Sequence, residues 1–590
     1  MITKANRGNR ARIVSIPAPV GGWNARDPLP NMKPEEAVSL ENFYCTPYDV
    51  MVRYGYSIKT SGFPGKVETL SSYRPTSGSS KLFAFSSTNV YDSSGSGSIG
   101  SPVITGNDTN YWTYVNFGTG AGVFQILCGE GVDLPLVYNG SKWGNIFSAA
   151  FNTTISTLTS ASTTATATMS VAHNLKTGMS VTIAGCTPAG YNGTYIITVT
   201  GATTFTYTLS GALGVVTVLG TATPDVNFAI TGVNPALFTN VMVFKTRLWF
   251  TEKSSLKVWY MPTTSIGGAA NSIDFSPIFT QGGYVIAMAD WSLDAGQGMD
   301  DYAAFVSSAG QVAIYKGTDP ASSATWSLVG VFDLGSPIGK KCLKKYAGDV
   351  TMINQDGVQL LSKSLMSTRV NSKESLTDKI NYKASDAISQ YGTNQGWQVV
   401  LFPKEDMLLL NIPQSSTESI QYVMNTINGS WSSFSGWNAA CFELHDDLLY
   451  FGGADYVATA WDGSSDNSAN INFNCQQSYN YCGSHGFKKV NMMRPIVSTD
   501  GNPAILLGAN SDYEMSDPVG IVSFSPTTTS TWDGANWDFG IWGGSLSIKR
   551  DWQTAFTIGY AISAHMKGQL ASCYMRWAST DIMVEDGGYI

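Results

Sequence analysis

The sequence predicts an all-β fold: a β-propeller-like body with a small inserted β-domain and a C-terminal β-barrel or sandwich domain. Composition is the first reason. The 590 residues include 60 Gly, 28 Tyr, 26 Phe and 16 Trp, and only 13 % are charged. Gly and aromatics at the expense of Lys and Glu favour strands and turns over helices. The second reason is a recurring grammar after Tyr56, in which an apolar run, a Gly/Asn/Asp/Ser turn and a second run follow one another. The third is its period of roughly forty to sixty residues, the spacing of propeller blades.

The elements follow in chain order. "PAPVGGWNARDPLPNMKPEEAVSLENFYCTPYDVMVRYGY" (17–56) opens with Gly21-Gly22, where a backbone turn or close approach is expected. Pro28 and Pro30 stiffen an extended stretch, and Pro34 with Glu35 and Glu36 predicts the start of a short helix. Leu40, Phe43 and Tyr44 would anchor that helix, and "VMVRYGY" reads as a strand with Arg53 exposed. Hairpins are expected in 81–95, 134–145 (turning at Asn139-Gly140), 241–262, 302–317, 349–362, 420–437 and 446–463. WD-repeat and sialidase-type signatures are missing; "TAWDG" occurs once, without its Gly-His partner.

Between Thr153 and Thr223 the chain turns to Thr, Ala, Val and Gly with almost no charge. "HNLKTGMSVTIAG…YNGTYIITV…TTFTYTL" is similar to a small β-domain that recurs as an insertion in phage virion proteins. In 372–389, Leu376, Ile380, Ala384 and Ile388 form one apolar stripe, which predicts a helix packed on the body. From Cys475 onward, alternating strands and the Trp/Gly-rich "STWDGANWDFGIWGG" (530–544) predict a further β-domain.

Chemistry is sparse. The four His (173, 445, 485, 565) form no HExxH or HxH pair, and neither GxSxG nor GxxxxGK[ST] occurs. His173 reads as a turn residue. Asp290 with Asp294, Asp300 with Asp301 and Asp446 with Asp447 raise glycan hydrolysis by paired carboxylates, but adjacent Asp pairs fit strand-entry turns better. The eight Cys lack a zinc-type doublet, and Cys475 and Cys482 in "CQQSYNYC" fit no metal knuckle, so buried reduced thiols are expected. No catalytic residue, metal ligand or cofactor site is assigned. No stretch approaches eighteen uninterrupted apolar residues, and no signal peptide or membrane span is expected. Net charge is −8, from 35 basic and 43 acidic residues. The basic exception is "MITKANRGNRAR", with Lys4, Arg7, Arg10 and Arg12: a solvated tail, or an arm that orders against an acidic partner.

The segment 17–56 resembles the N-terminal signature of tail nozzle (tail hub, tail tubular B-type) proteins of short-tailed bacteriophages, whose relatives include packaged-DNA stabilisation proteins. Gly22, Asn24, Arg26, Asp27, "M-x-P-E-x-A" (32–37), Leu40, Asn42-Phe43 and "R-x-G-Y" (53–56) carry the likeness. "KKVNMMRPIV…ILLGANSDYE" in the C-terminal part is similar to the same proteins.

The resemblance implies a non-enzymatic structural virion protein, a homo-hexamer beneath the portal and adaptor rings. It would retain packaged double-stranded DNA and conduct it, without sequence specificity, during ejection; tail fibres or tailspikes are possible neighbours. It implies assembly in a bacterial cytoplasm and residence in the virion tail. Partner-docking residues would be Lys4, Arg7, Arg10, Arg12, Trp23, Asn24, Arg26, Asp27 and Arg53. The expected division is 1–60 arm and adaptor-docking segment, 61–152 and 224–474 propeller, 153–223 insertion and 475–590 C-terminal domain. A negative conduit wall would repel phosphate and let DNA slide. A different class, a receptor-binding or glycan-degrading virion protein, would instead predict trimers and a carboxylate pair in an aromatic cleft.

Overall fold

The computed structural model describes residues 11–294, 299–365, 375–522 and 546–586. They form an all-β, multi-domain protein of several sheets. Every hairpin expected from the turn signals is present, because each rests on local alternation and a turn of two to a few residues.

Seven antiparallel units follow one another along the chain. Their first strands are Val67–Tyr73, Thr113–Thr119, Phe238–Phe244, Val285–Asp294, Leu343–Tyr346, Gln398–Phe402 and Cys441–His445. The second first-strand packs on the third, the third on the fourth, and so on to the seventh, which packs on the first. The first and second units are joined by polar contacts: the Ser72 backbone N–H donates to the Tyr114 hydroxyl at 3.1 Å, and Asn116 Nδ2 donates to the Ser72 carbonyl at 2.9 Å. The fourth strand of the seventh unit is Tyr56–Ser61, supplied from near the beginning of the chain and paired with Tyr456–Ala460; the two-residue strand Gly97–Ser98 pairs parallel beyond it. Aromatic rings fill the spaces between units; Trp249 and Trp326 stack at 5.5 Å between the third and fourth.

The insertion's strands, Ile155–Ala161 to Val218–Pro224, make two small sheets and form ladders only with one another. Leu158, Val181, Ile183, Tyr191 and Phe205 are buried in it. The chain leaves the body after Trp143–Phe147 and returns as Asn227–Thr231, paired parallel to it. A buried ion pair of Lys176 with Asp133 and a 2.7 Å hydrogen bond from Asn145 Nδ2 to the Asn174 carbonyl fix the joint.

The two ends of the chain are woven together. Arg12–Pro17 pairs along Met575–Asp586, which also receives Val50–Val52 and the long strand Lys488–Thr499. Glu36–Glu41 lies between Trp431–Phe434 and Ile471–Gln477, inside a ten-stranded sheet that continues through Ile562–Leu570 and Ala504–Ser511 to Gly520–Val522. The strand Ile471–Gln477 therefore crosses the boundary expected at Cys475, and Tyr56–Ser61 crosses the one expected after residue 60.

The helix expected at Pro34 is not formed. A 3-10 turn occupies Leu29–Asn31 and a strand runs over Glu36–Glu41. Pairing on both edges, with Ala37 and Leu40 buried in the core, overrides the local Pro-Glu-Glu signal. The downstream helix is present as Asn381–Tyr391 after a 3-10 turn at Asp378–Ile380, with Ile380, Ala384 and Ile388 buried as the stripe predicts. It packs on Gly357–Leu360 and Met407–Pro413. Residues 372–374 of that expectation, and the Trp/Gly-rich 530–544, lie outside the described residues.

Candidate functional site

The signature segment is the first candidate. Gly22 has φ +79°, and a Cβ there would sit 2.7 Å from the Trp431 backbone nitrogen and oxygen. At Gly55 a Cβ would stand 1.8 Å from the Ser465 carbonyl oxygen. Both glycines let two backbones touch.

Asn24 is buried and saturated. Its Nδ2 donates to Asp27 Oδ2 (2.8 Å) and Glu36 Oε2 (2.7 Å), and its Oδ1 accepts from the Arg26 and Asp27 backbone N–H groups. Arg26 bridges Asp27 and Asp378, while Lys379 bonds Glu36. Hydrogen bonds from Arg26 and then Asn24 hold the Asp27 carboxyl down at about 2. Burial pushes Glu36 up, but bonds from Lys379 and Asn24 outweigh it and hold the group below its usual value. Trp23 is buried, donates from Nε1 to the Val38 carbonyl at 3.1 Å and meets Tyr422 edge-on at 5.2 Å.

Arg53 is not exposed: its side chain is fully buried. All its donors are used, Nε on Asn42 Oδ1 (2.8 Å), Nη1 on the Tyr54 carbonyl and Asp466 Oδ1, Nη2 on the Ser435 carbonyl and Asp466 Oδ2. Trp437 lies 5.1 Å from the guanidinium. Asn42, at φ +58°, completes the knot by donating to Ser435 Oγ and the Asn472 carbonyl. A charge in an alternating strand reads as exposed; the partner that reverses this, Asp466, lies 413 positions away.

Of the nine expected docking residues, Lys4, Arg7 and Arg10 lie outside the described residues. Arg12 is partly exposed and pairs with Asp586 at 3.3 Å. Trp23, Asn24, Arg26, Asp27 and Arg53 are cross-links within this chain. The residues that sequence reasoning missed here, Asp378, Lys379, Ser435 and Asp466, carry no local motif.

The Asp pairs behave as turn and edge residues. Asp446 and Asp447 form the left-handed turn between Cys441–His445 and Leu448–Gly452, at φ +48° and +60°. Asp290 pairs with Lys345, and Asp301 with Lys245. The side chains of Asp294 and Asp300 lie outside the described residues. His173 is buried, its Nδ1 accepting from the Leu175 N–H at 3.0 Å, and burial lowers its basicity.

All eight cysteines are free and buried, Cys475 and Cys482 included. Burial pushes the Cys342 thiol up to about 12 and Cys441 to about 11. Among the described residues no three His, Cys, Asp or Glu could hold a metal ion. No helix among them is long and apolar enough to cross a membrane.

A second cluster gathers where first strands converge. Lys341 is half-buried, its Nζ 4.8 Å from the centre of the Tyr111 ring. Glu443, from the seventh unit, shares this space with Tyr114, Lys341 and Lys344. Close by, Lys340 reaches Glu130 at 3.5 Å beside a cleft of about 270 Å³ lined by Thr239, Lys253 and Tyr284. A larger cleft of about 540 Å³, holding His173, Lys176 and Asp133, lies at the insertion joint.

No family model matches the chain, and no curated protein matches it. Solved structures that match include YCF48 from Cyanidioschyzon merolae, at 10 % identity and TM-score 0.23, covering 71 % of this chain and 97 % of that one. Another is BBS1N in complex with ARL6DN, at 8 % identity and TM-score 0.25, covering 69 % and 98 %. Likeness at this level carries no argument about the protein.

Proposed function

We propose that the seven consecutive units close into a seven-bladed propeller, and that the chain is a structural ring subunit of a short-tailed phage tail nozzle. Two facts support the propeller: the cyclic order in which first strands pack, and the completion of the last unit by Tyr56–Ser61 from the chain's beginning. A shared last blade removes the free edge that an open array would leave. The insertion and the woven C-terminal sheets are then additions to that ring.

One observation carries the nozzle reading. The forty residues that resemble nozzle proteins hold no reacting group; their polar side chains tie the N-terminal segment to partners hundreds of positions away. Such a signature specifies a shape rather than a reaction. In this reading the chain docks beneath portal and adaptor rings as a hexamer and passes DNA through the common channel.

Native mass measurement and electron microscopy of the purified chain test it. Six copies of 63.2 kDa make a ring of about 380 kDa with six-fold symmetry. A monomer overturns the reading. So does a trimer that binds or cleaves host polysaccharide, which is the outcome the receptor-binding alternative demands.

A further inference from the structure

We infer that a cleft of about 420 Å³ between the body and the insertion binds a neutral saccharide. The body supplies its floor, where the rings of Phe83, Tyr138 and Trp143 pack on one another with centroids 4.8 to 4.9 Å apart. The insertion supplies the facing wall through Gly178, Ser180 and Ile196. The two sides meet backbone to backbone. A Cβ on Gly178 would stand 2.0 Å from the Val103 carbonyl oxygen, and the Thr105 N–H donates to the Thr177 carbonyl at 3.1 Å. The cleft is thus built into the joint, and its size falls within the roughly 300 to 1,000 Å³ of small-molecule sites.

Trp143 shows what the cleft lacks. The residue is only 5 % exposed, lines the cleft, and its indole N–H has no acceptor among the described residues. Trp112, Trp397 and Trp431 each donate to a carbonyl inside the chain. Trp326, Trp437 and Trp461 also lack an acceptor, but their nitrogens are sealed from solvent, and that of Trp143 is not. A nearly buried donor beside an open cleft calls for an acceptor from the ligand. The charges at the rim, by contrast, are already answered within the chain. Lys81 pairs with Asp92 at 2.8 Å, and Lys142 with Asp225 at 2.6 Å. Among the lining residues no cation or carboxylate is left without its counter-charge, which disfavours a charged ligand. Paired ammonium and carboxylate groups still donate to and accept from hydroxyls. Ile196, 64 % exposed, adds an apolar lip. An apolar floor, one indole donor and a rim of both donors and acceptors suit a ring with C–H faces and hydroxyl groups. The cleft lies within one chain and works alike in a monomer or a ring, so saccharide binding by a hexamer leaves the nozzle reading intact.

Isothermal titration of the full chain with maltotriose, cellotriose and chitotriose tests the cleft, with glucuronate and phosphate as charged controls. At least one trisaccharide should bind saturably, and neither control should compete with it. Trp143→Phe keeps an aromatic ring and removes the donor, and should weaken that affinity roughly tenfold. Ile196→Ala, at an exposed position, should weaken it too, and decides the matter if Trp143→Phe fails to fold. The site is overturned if no trisaccharide binds at about 10 mM, or if a charged control binds in its place. Wild-type affinity in a folded Trp143→Phe overturns it as well, or in Ile196→Ala should the first variant not fold.

Discussion

Arg53 holds together three parts of the chain through one planar group. Its fork meets both oxygens of Asp466, at 2.8 and 2.7 Å, while the remaining donors close on Asn42, Tyr54 and Ser435. Removing one partner of a buried pair leaves the other charge unpaired, at a cost of about 3 to 5 kcal/mol. Arg53→Ala should therefore lower the thermal midpoint sharply, and Arg53→Lys should fail to restore it because an ammonium cannot span both carboxylate oxygens. A midpoint within a degree or so of wild type for Arg53→Ala would show the knot to be dispensable. Asp27 makes a separate, titratable contribution. Its folded pKa, about 2, lies below the usual 3.8, first through the Arg26 hydrogen bond and then through Asn24. A depressed carboxylate stabilises above its unfolded pKa, and the stabilisation is lost as pH falls through the folded value. The chain should thus lose about 1 to 2 kcal/mol from this group between pH 4 and 2. Asp27→Asn should be less stable at pH 7 and show a shallower acid slope, as read from midpoints across pH; identical slopes would assign the acid sensitivity elsewhere.

At the scale of elements, local and distant pairing separate what the sequence reveals from what it hides. The hairpin of Lys81–Ser86 with Asn89–Asp92 and that of Leu136–Tyr138 with Trp143–Phe147 are legible because strand and turn lie within fifteen residues. The stripe of Ile380, Ala384 and Ile388 is legible for the same reason. Glu36–Glu41 is not, since the strands that make it a strand begin at Trp431 and Ile471. Arg53 and Asn24 are recognisable as specified residues, yet their use inside the chain depends on Asp466 and on the Lys379–Glu36 pair, which no spacing rule connects to them. The insertion lies at the opposite extreme. Its ladders close within 155–224, and Phe147 and Asn227 belong to adjacent parallel strands. A linker of about eight residues reaches from the end of one strand to the start of the other. Replacing residues 151–224 by such a linker should leave a folded body, at the cost of the Lys176–Asp133 contact, with the expected loss of the strand signal of the insertion's seven strands in circular dichroism. An aggregated product with no cooperative melting would mean that the body needs the insertion to fold.

For the molecule as a whole, charge decides how it treats DNA. The 43 acidic residues outnumber the 35 basic ones, and many cations are already committed: Arg26, Arg53, Lys142, Lys176, Arg247, Lys379, Arg494 and Arg576 each face a carboxylate. Non-specific DNA binding needs free Lys and Arg to replace condensed counterions, and its strength falls steeply with salt. A chain of net charge −8 with a share of its cations already paired offers fewer such replacements. Lys4, Arg7 and Arg10 lie together near one end of the sequence, so in the proposed nozzle a wall that lets DNA slide would be compatible with an arm that grips a neighbour. Double-stranded DNA should therefore not be retained by the full chain at about 0.15 M salt, where the Debye length is about 8 Å and only close contacts count. A chain lacking residues 1–10 should retain none at about 0.05 M either. Fluorescence anisotropy of a labelled duplex reads both. Saturable binding that survives removal of the arm, with a log–log salt slope of several units, would mean that the body itself grips phosphate, and a sliding conduit could not be built from it.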